Sequence, residues 1–415
     1  YTLLSDFDIS LQTVNPFNLC HIKDDPLLYL NRAKNFYNKN FKRESSKVEY
    51  IKKDKIHIGY FSADFRAHPV MYLISRILEL HNDSEFKIFI YSFPIKEDEY
   101  TNKLRKEPFI YRNIYEKSDL DSVSIARKDQ LDIAIDLMGY TQNNRMKIFS
   151  YRVAPIQISF LGLEATTGSE VIDYLIADKI TIPNEYTKFY SEKILYMPNC
   201  YMPFDNQTLT SNQTVYRNNF DLPEDAFVLA AFHSSYKITP REISSWSRIL
   251  QENNKAVLWI SEPSRTSKDN LLSLFNSKGI RSNRIYFAKR LESRDSHLAR
   301  HSCADLFIDT FNFNGCSTAM DSLWCELPVI TLMGESFLSR ISSSLLTNLG
   351  LTELIAKTTF EYEQIIIRLS NNPDLMKDIK HRLKEEKTKN LLFDSVKFTK
   401  DLEEIYKSLI KNLSA

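Results

Sequence analysis

Short apolar words alternate with longer amphipathic stretches along most of the chain. IHIGYFSA at 56–63, KIFIYSF at 87–93, LDIAIDL at 131–137, IQISFLG at 156–162 and DYLIAD at 173–178 predict buried strands. Between the first two, PVMYLISRILELH repeats its apolar positions with helical period, and Pro69 suits a first helical turn. A second series follows: FVLAAFH at 227–233, AVLWISE at 256–262, RIYFAK at 284–289, DLFIDT at 305–310 and PVITLMG at 328–334. Continuous apolar strands alternating with helices predict parallel sheets covered on both faces, here in two tandem α/β domains. Residues 1–54 read as a helical lead-in and linker, 55–205 as a first Rossmann-like domain and 206–222 as an interdomain linker within the polar stretch 199–225. Residues 223–372 read as the second domain, and 373–415, with helical period and no strand pattern, as C-terminal helices.

Length agrees with this division, since 415 residues exceed one domain of roughly 100–200. With 54 basic against 53 acidic side chains the net charge is +1, which removes any long-range field for nucleic acid and leaves only local basic pockets. The five cysteines form no CxxC pair and are odd in number, which argues against a disulfide framework or a zinc knuckle and predicts a reducing, cytoplasmic setting. The sequons at Asn206, Asn212 and Asn412 are accordingly chance matches. There is no membrane-length apolar run and no signal-peptide pattern. The first residue is Tyr1 rather than Met, so further upstream sequence is expected.

Ligands of open parallel sheets bind at the carboxyl ends of strands. Only 8 glycines occur, and Gly139, Gly162, Gly315 and Gly334 all follow predicted strands, as tight turns or as points of close ligand approach. NGCSTAMDSLW at 314–324 follows a strand and opens a helix, so Ser317 and Thr318 stand at a helix N-terminus that suits phosphate, with Asp321 one turn on for a sugar hydroxyl. A cap without ligand is the plainer alternative for Ser317. In FHSSYKITPRE, Lys237 sits after another strand, either solvated or placed to neutralise a departing diphosphate. Arg294, His297 and Arg300 precede DLFIDT, with His297 and Arg300 on one helical face. In the first domain Asp64, Arg66 and His68 lie between a strand and a helix, His68 serving in proton transfer, holding an acceptor, or merely starting the helix. The loops GYTQNNR at 139–145 and GLEATTGSE at 162–170 suit a polyhydroxylated ligand. No GxxxxGK[ST] or GxGxxG motif is present.

Taken together, HIGYFSADFRAHPV, DIAIDLMGYT, APIQISFLGLEATTG, YSEKILYMP, YKITP, ADLFIDTFNFNG and PVITLMGESFLSR, in this order from about Pro16 to Tyr406, resemble the catalytic region of glycosyltransferase family 41. These are the O-GlcNAc transferase and SPINDLY-like proteins, here of a bacterial type. The resemblance implies a GT-B fold, two Rossmann-like domains facing a cleft, with the helical lead-in and C-terminal helices added. It implies an inverting, metal-independent transferase with no cofactor, taking a nucleotide sugar as substrate and a protein or peptide as acceptor. Carried over by position, Lys237 contacts the donor diphosphate, Ser317 and Thr318 the phosphates, and Asp321 the ribose. His297 and Arg300 fall on the nucleotide side, and Arg294 takes the place of a lysine against the base. His68 matches an active-site histidine, and Tyr140 and Thr141 the acceptor-side loop.

Three positions depart from the O-GlcNAc transferase pattern: Ser234 replaces a glutamine, Cys316 replaces a histidine, and GLEATTG with Glu164 replaces GYPGT. The implied reaction moves GlcNAc from UDP-GlcNAc to Ser or Thr of a protein. UDP-glucose or GDP-fucose as donor, or Asn as acceptor, are alternatives of the same class. A nucleotide-sugar-binding module without turnover is the alternative of another class. Tetratricopeptide repeats are absent from residues 1–54, which leaves upstream repeats or another docking module as the partner-binding element.

Overall fold

The computed structural model describes residues 14–41, 48–106, 108–211 and 214–414. Asn212 and the lead-in residues 1–13 and 42–47 lie outside the described residues. The chain divides into two compact units: residues 1–20, 25–206 and 394–415 form the first, and 21–24 and 207–393 the second.

The first unit is built on seven parallel strands: β1 (Ile56–Ser62), β2 (Phe86–Ser92), β3 (Ile110–Asn113), β4 (Ile133–Asp136), β5 (Ile156–Ser159), β6 (Tyr174–Ala177) and β7 (Lys193–Tyr196). They run in the order β3-β2-β1-β4-β5-β6-β7. The second holds six parallel strands: β8 (Phe227–Ala231), β9 (Ala256–Ser261), β10 (Ile285–Ala288), β11 (Leu306–Ile308), β12 (Val329–Leu332) and β13 (Ile355–Ala356), in the order β10-β9-β8-β11-β12-β13. Both orders reverse direction beside their first strand, between β1 and β4 and between β8 and β11. These are the topological switch points where the loops after neighbouring strands diverge and leave room for a ligand. The loops carrying His68 and Tyr140 follow β1 and β4; those carrying Lys237 and Ser317 follow β8 and β11.

Three strands are additional to the predicted ones: β3, β7 and β13. All are edge strands, paired on one side only. No residue of β3 or β7 is buried and β13 has only two residues, so they lack the continuous apolar run by which β1, β4 and β8 are recognised. The flanking segments also differ from expectation. The helix Pro26–Asn40 is part of the first unit rather than of a detached lead-in. The C-terminal helices divide between the units, Pro373–Lys389 joining the second and Ser395–Ser414 the first. The last helix is held by a buried polar network. Tyr60 Oη lies 2.7 Å from His81 Nε2 and 3.3 Å from Tyr406 Oη, and His81 Nδ1 lies 3.0 Å from Glu403 Oε1. Buried polar groups of this kind stabilise only when satisfied, which ties the helix to β1 in one register.

Gly168 shows how closely the GLEATTG loop is packed. It has φ +63°, and a Cβ there would sit 2.3 Å from Lys34 N and 2.5 Å from Ala33 C on the Pro26–Asn40 helix. Gly350 has φ +66° with nothing within 4 Å of a Cβ. Gly350→Ala is therefore expected to cost about 1 kcal/mol through backbone conformation alone. Gly168→Ala adds a backbone collision and is expected to cost roughly 3 kcal/mol. Urea unfolding followed by far-ultraviolet circular dichroism checks both, and equal costs would contradict the packing argument.

Candidate functional site

In the second unit the site begins with a buried carboxylate. Asp309 follows β11, and its Oδ1 accepts the N–H of Gly315 at 2.6 Å, the N–H of Thr310 at 2.9 Å and His233 Nε2–H at 3.0 Å. Its Oδ2 accepts the Thr331 hydroxyl at 2.9 Å. The loop 309–316 is thus folded back over its own strand end and delivers Cys316 in a left-handed conformation, φ 49°, as the residue before the helix Ser317–Trp324. A non-glycine residue in this region is strained, and such strain persists only where surrounding contacts fix it. The Thr318 hydroxyl donates to the Gly315 carbonyl at 2.6 Å, and both Ser317 and Thr318 are half-buried at the helix N-terminus. Cys316 Sγ lies 3.4 Å from the Asn314 carbonyl.

Lys237 is not a solvated loop lysine. It is buried, its Nζ donates to the Asn314 carbonyl at 2.7 Å, and the ammonium lies 3.5 Å from the centroid of the Phe313 ring. A cation fixed two residues from the cap of a helix N-terminus makes one positive locus from two sources. The loop that carries it is closed by a capping box, in which the Glu242 carboxylate accepts the Thr239 N–H at 2.8 Å. Glu242 also accepts the Phe311 N–H at 2.8 Å, joining the Lys237 loop to the 309–316 loop. Ser234, three residues before Lys237, is exposed.

The predicted nucleotide side forms one cluster. Arg294 Nη2 donates to Asp321 Oδ1 at 2.7 Å. Burial raises the Asp321 carboxyl above the usual range, and Arg294 opposes that shift. Arg300 is buried, donates to the Lys289 carbonyl at 2.8 Å and lies 4.4 Å from the centroid of the Phe232 ring; burial brings its guanidinium down to about 10. His297 and His301 pack edge-on against Phe232 and each other. Burial, then Arg300, holds both neutral, His297 down to about 2 and His301 down to about 3. His301 Nδ1 donates toward the His297 and Leu298 carbonyls at 3.1 and 3.0 Å.

In the first unit His68 is the N-cap of the helix Pro69–Leu80 and its Nδ1 accepts the Val70 N–H at 3.3 Å. Asp64 Oδ2 is 3.5 Å from the same nitrogen, and Arg66 Nη2 donates to Asp64 Oδ1 at 3.1 Å. Burial lowers the imidazole pKa, against the pull of Asp64, so the ring is neutral at pH 7. Nδ1 thus faces both the Val70 N–H, which it accepts when the proton is on Nε2, and the Asp64 carboxylate, to which it donates when the proton is on Nδ1. Thr141 donates its hydroxyl to the Met138 carbonyl at 2.9 Å.

Tyr140 is 1% exposed, packs against Phe36 and Phe41, and donates its hydroxyl to the Thr167 carbonyl at 2.7 Å, so its phenol braces the GLEATTG loop. Glu192 braces the same loop from the other side. Its carboxylate accepts the Thr166 hydroxyl and the Thr167 N–H, both at 2.7 Å. Glu164 is buried in the same loop with the Tyr201 hydroxyl 3.5 Å from Oε1. His233, Asp309, Glu242 and Glu192 were not singled out by the sequence reading. The signal for two of them was present: a polar residue closing an otherwise apolar strand word, as in FVLAAFH and DLFIDT.

The profile of glycosyl transferase family 41 matches residues 23–215 and 206–402. The chain belongs to glycosyl transferase family 41. Among family 41 relatives, the probable UDP-N-acetylglucosamine-peptide N-acetylglucosaminyltransferase SEC of Arabidopsis thaliana is 31% identical over 359 residues, 85% of this chain and 37% of that protein. The probable UDP-N-acetylglucosamine-peptide N-acetylglucosaminyltransferase SPINDLY of Petunia hybrida is 30% identical over 362 residues, 85% of this chain and 38% of its own length. The chain thus spans well under half of these relatives. A mutant of the Thermobaculum terrenum O-GlcNAc transferase superposes with a TM-score of 0.89 at 23% identity, covering 99% of this chain and 79% of that one. Anabaena HepE in complex with UDP and glucose gives 0.59 at 12% identity, covering 85% and 100%. The fold is GT-B. Among the described residues no helix is long and apolar enough to cross a membrane, and no group of three or more His, Cys, Asp or Glu is placed to hold a metal ion.

The neutral buried histidines set a pH dependence. In the unfolded chain each takes up a proton near its ordinary value of about 6.5, whereas in the folded unit His301 and His297 resist protonation until about 3 and about 2, and burial also lowers His233. Their contribution is complete above pH 6.5 and falls as pH drops below it, by about 1.4 kcal/mol per pH unit for each fully depressed histidine. Trp246, Trp259 and Trp324 all belong to the second unit, so tryptophan fluorescence reports its unfolding. His301→Phe, which keeps an aromatic ring against Phe232, is expected to reduce the slope of stability between pH 6 and pH 5 by about 1.4 kcal/mol per unit. An unchanged slope would show that His301 is protonated in the folded state.

Proposed function

We propose that this chain is the catalytic region of a protein glycosyltransferase that moves GlcNAc from UDP-GlcNAc to a Ser or Thr hydroxyl, with inversion and without a metal ion. The observation that carries the reading is the buried Lys237 ammonium on the Asn314 carbonyl beside the N-terminus of the helix Ser317–Trp324. A fixed cation and a helix N-terminus at the carboxyl ends of β8 and β11 suit a diphosphate, and suit most the extra charge it gains as the sugar leaves. Ser317 and Thr318 then bind phosphate, Asp321 oriented by Arg294 takes the ribose hydroxyls, and His297 and Arg300 flank the base. The names of the SEC and SPINDLY relatives support UDP-GlcNAc and a peptide acceptor. On the acceptor side His68 acts as a hydrogen-bond donor that orients the attacking oxygen. A soluble cytoplasmic setting and an additional docking module for the acceptor protein belong to the same proposal. Cys316 and Glu164, where O-GlcNAc transferases carry other residues, bear on which sugar is chosen. They favour a test over several donors.

Transfer to a peptide library, followed by mass spectrometry with UDP-GlcNAc, UDP-glucose and GDP-fucose in turn, tests the donor directly; product with GDP-fucose alone would refute the proposed sugar. EDTA is expected to leave the rate unchanged, and a strict need for Mn²⁺ or Mg²⁺ would overturn the role given to Lys237. Lys237→Ala removes stabilisation that grows in the transition state, so kcat is expected to fall roughly 10²-fold or more. Asp321→Ala removes a contact common to ground and transition states, so it is expected mainly to raise the donor KM.

His68→Ala is expected to lower transfer while the calorimetric Kd for UDP stays within about threefold of wild type, the change of a group outside the nucleotide contacts. Loss of UDP binding in that variant would assign His68 to the donor.

A further inference from the structure

Residues 21–24 belong to the second unit, although the residues on either side of them in the chain belong to the first. Asp24 fixes this short segment. Its carboxylate accepts the N–H groups of Glu335 and Ser336 at 2.7 and 2.9 Å and the Ser339 hydroxyl at 2.9 Å. Gly334 lets it approach, since a Cβ there would lie 2.2 Å from Asp24 Oδ2. Three residues earlier, the His21 carbonyl accepts Asn312 Nδ2–H at 3.0 Å. The His21 ring meets Tyr236 edge-on, with centroids 5.5 Å apart. His21 and Asp24 therefore bind to the loops after β8, β11 and β12, which include those that carry Lys237 and Gly315–Thr318.

The imidazole has no structural use for one of its nitrogens. His21 Nδ1 is enclosed and has no hydrogen-bond partner among the described residues. Burial, then the charge of Lys237, lowers the pKa of the ring and keeps it neutral. An enclosed polar atom without a partner is unfavourable, and native structures retain one where a ligand or water completes it. A neutral imidazole is also the group that adds a hydrogen-bond donor beside a lysine without adding a second positive charge.

We propose that His21 is a donor-binding residue of the second unit, its Nδ1–H donating to a diphosphate oxygen of the nucleotide sugar alongside Lys237. The inference rests on the reading of Lys237 as the diphosphate cation. It makes the His21–Asp24 segment a working part of the nucleotide-sugar site, held there by Asp24.

Isothermal calorimetry of the full chain with UDP and with UDP-GlcNAc tests it, on wild type, His21→Phe and His21→Asn. Phe keeps the edge contact with Tyr236 and removes the nitrogen; Asn gives up the ring and places an amide N–H near the position of Nδ1. The expected result is a Kd raised about tenfold in His21→Phe, as for loss of one hydrogen bond to a charged group, with His21→Asn close to wild type. Wild-type affinity in His21→Phe would mean that the nitrogen holds only water, and would overturn the inference. Equal losses in both variants would assign His21 to packing, with the same consequence. If the wild-type chain binds neither UDP nor UDP-GlcNAc, the donor reading itself fails and takes the inference with it.

Discussion

A carboxylate buried at the end of a central strand is unfavourable unless hydrogen-bond donors surround it, and in both units those donors are the backbone N–H groups of the loop that follows. Asp309 accepts from Thr310 and Gly315 in the second unit. Asp136, the last residue of β4, accepts from Met138 and Gly139 at 3.0 Å each in the first. The loops at the two switch points owe their shape to this arrangement, because the carboxylate draws each chain back over its strand before releasing it. Asp309 shares the fixing of the loop before Cys316 with Asn314, whose N–H donates to the Leu338 carbonyl at 3.0 Å and whose own carbonyl anchors Lys237. Burial raises Asp136 to about 7 even so, which shows that two backbone donors do not fully replace water.

Around the positive locus the second unit limits how much charge it collects. His233, His297 and His301 are all kept neutral by burial, and His233 gives its Nε2–H to Asp309. Arg294 is balanced by Asp321. What remains is the charge of Lys237, the charge of the buried Arg300 and the helix dipole, a positive field that suits an anion. In the proposed transfer, such a preorganised field does not have to rearrange when charge develops on the leaving group.

The strands and their switch points were legible from the chain because central parallel strands are continuous apolar words and the polar residues that follow them stand out. The strands β3, β7 and β13 were not, since β3 and β7 bury no residue and β13 has only two, which leaves no such word. Lys237, Ser317, Thr318 and Asp321 could be found from their place after strands and from the family resemblance. His233 and Asp309 were quoted within motifs yet passed over, because their importance lies in a contact between residues 76 apart. Tyr140, placed by the resemblance in an acceptor-side loop, has a ring drawn inward by Phe36, Phe41 and the Thr167 carbonyl, which the sequence did not show. No local pattern separates a loop tyrosine that faces solvent from one that props the neighbouring loop. The division of the terminal helices was equally hidden, since helical period tells which face is buried and not which sheet covers it.

The network joining Tyr60 to Tyr406 spans 346 residues of sequence. Everything in the second unit from Gln207 to Phe393 is encoded between those two ends. On the ribosome the second unit therefore has nearly all of its strands and helices available before the first can close. All strands of the β1–β7 sheet precede residue 197, yet the polar patch at Tyr60 and His81 stays uncovered until residue 406 has emerged. A nascent chain in that interval presents an incomplete N-terminal unit attached to a C-terminal one that is ready to fold, reversing the usual order in which the first domain made is the first to be finished.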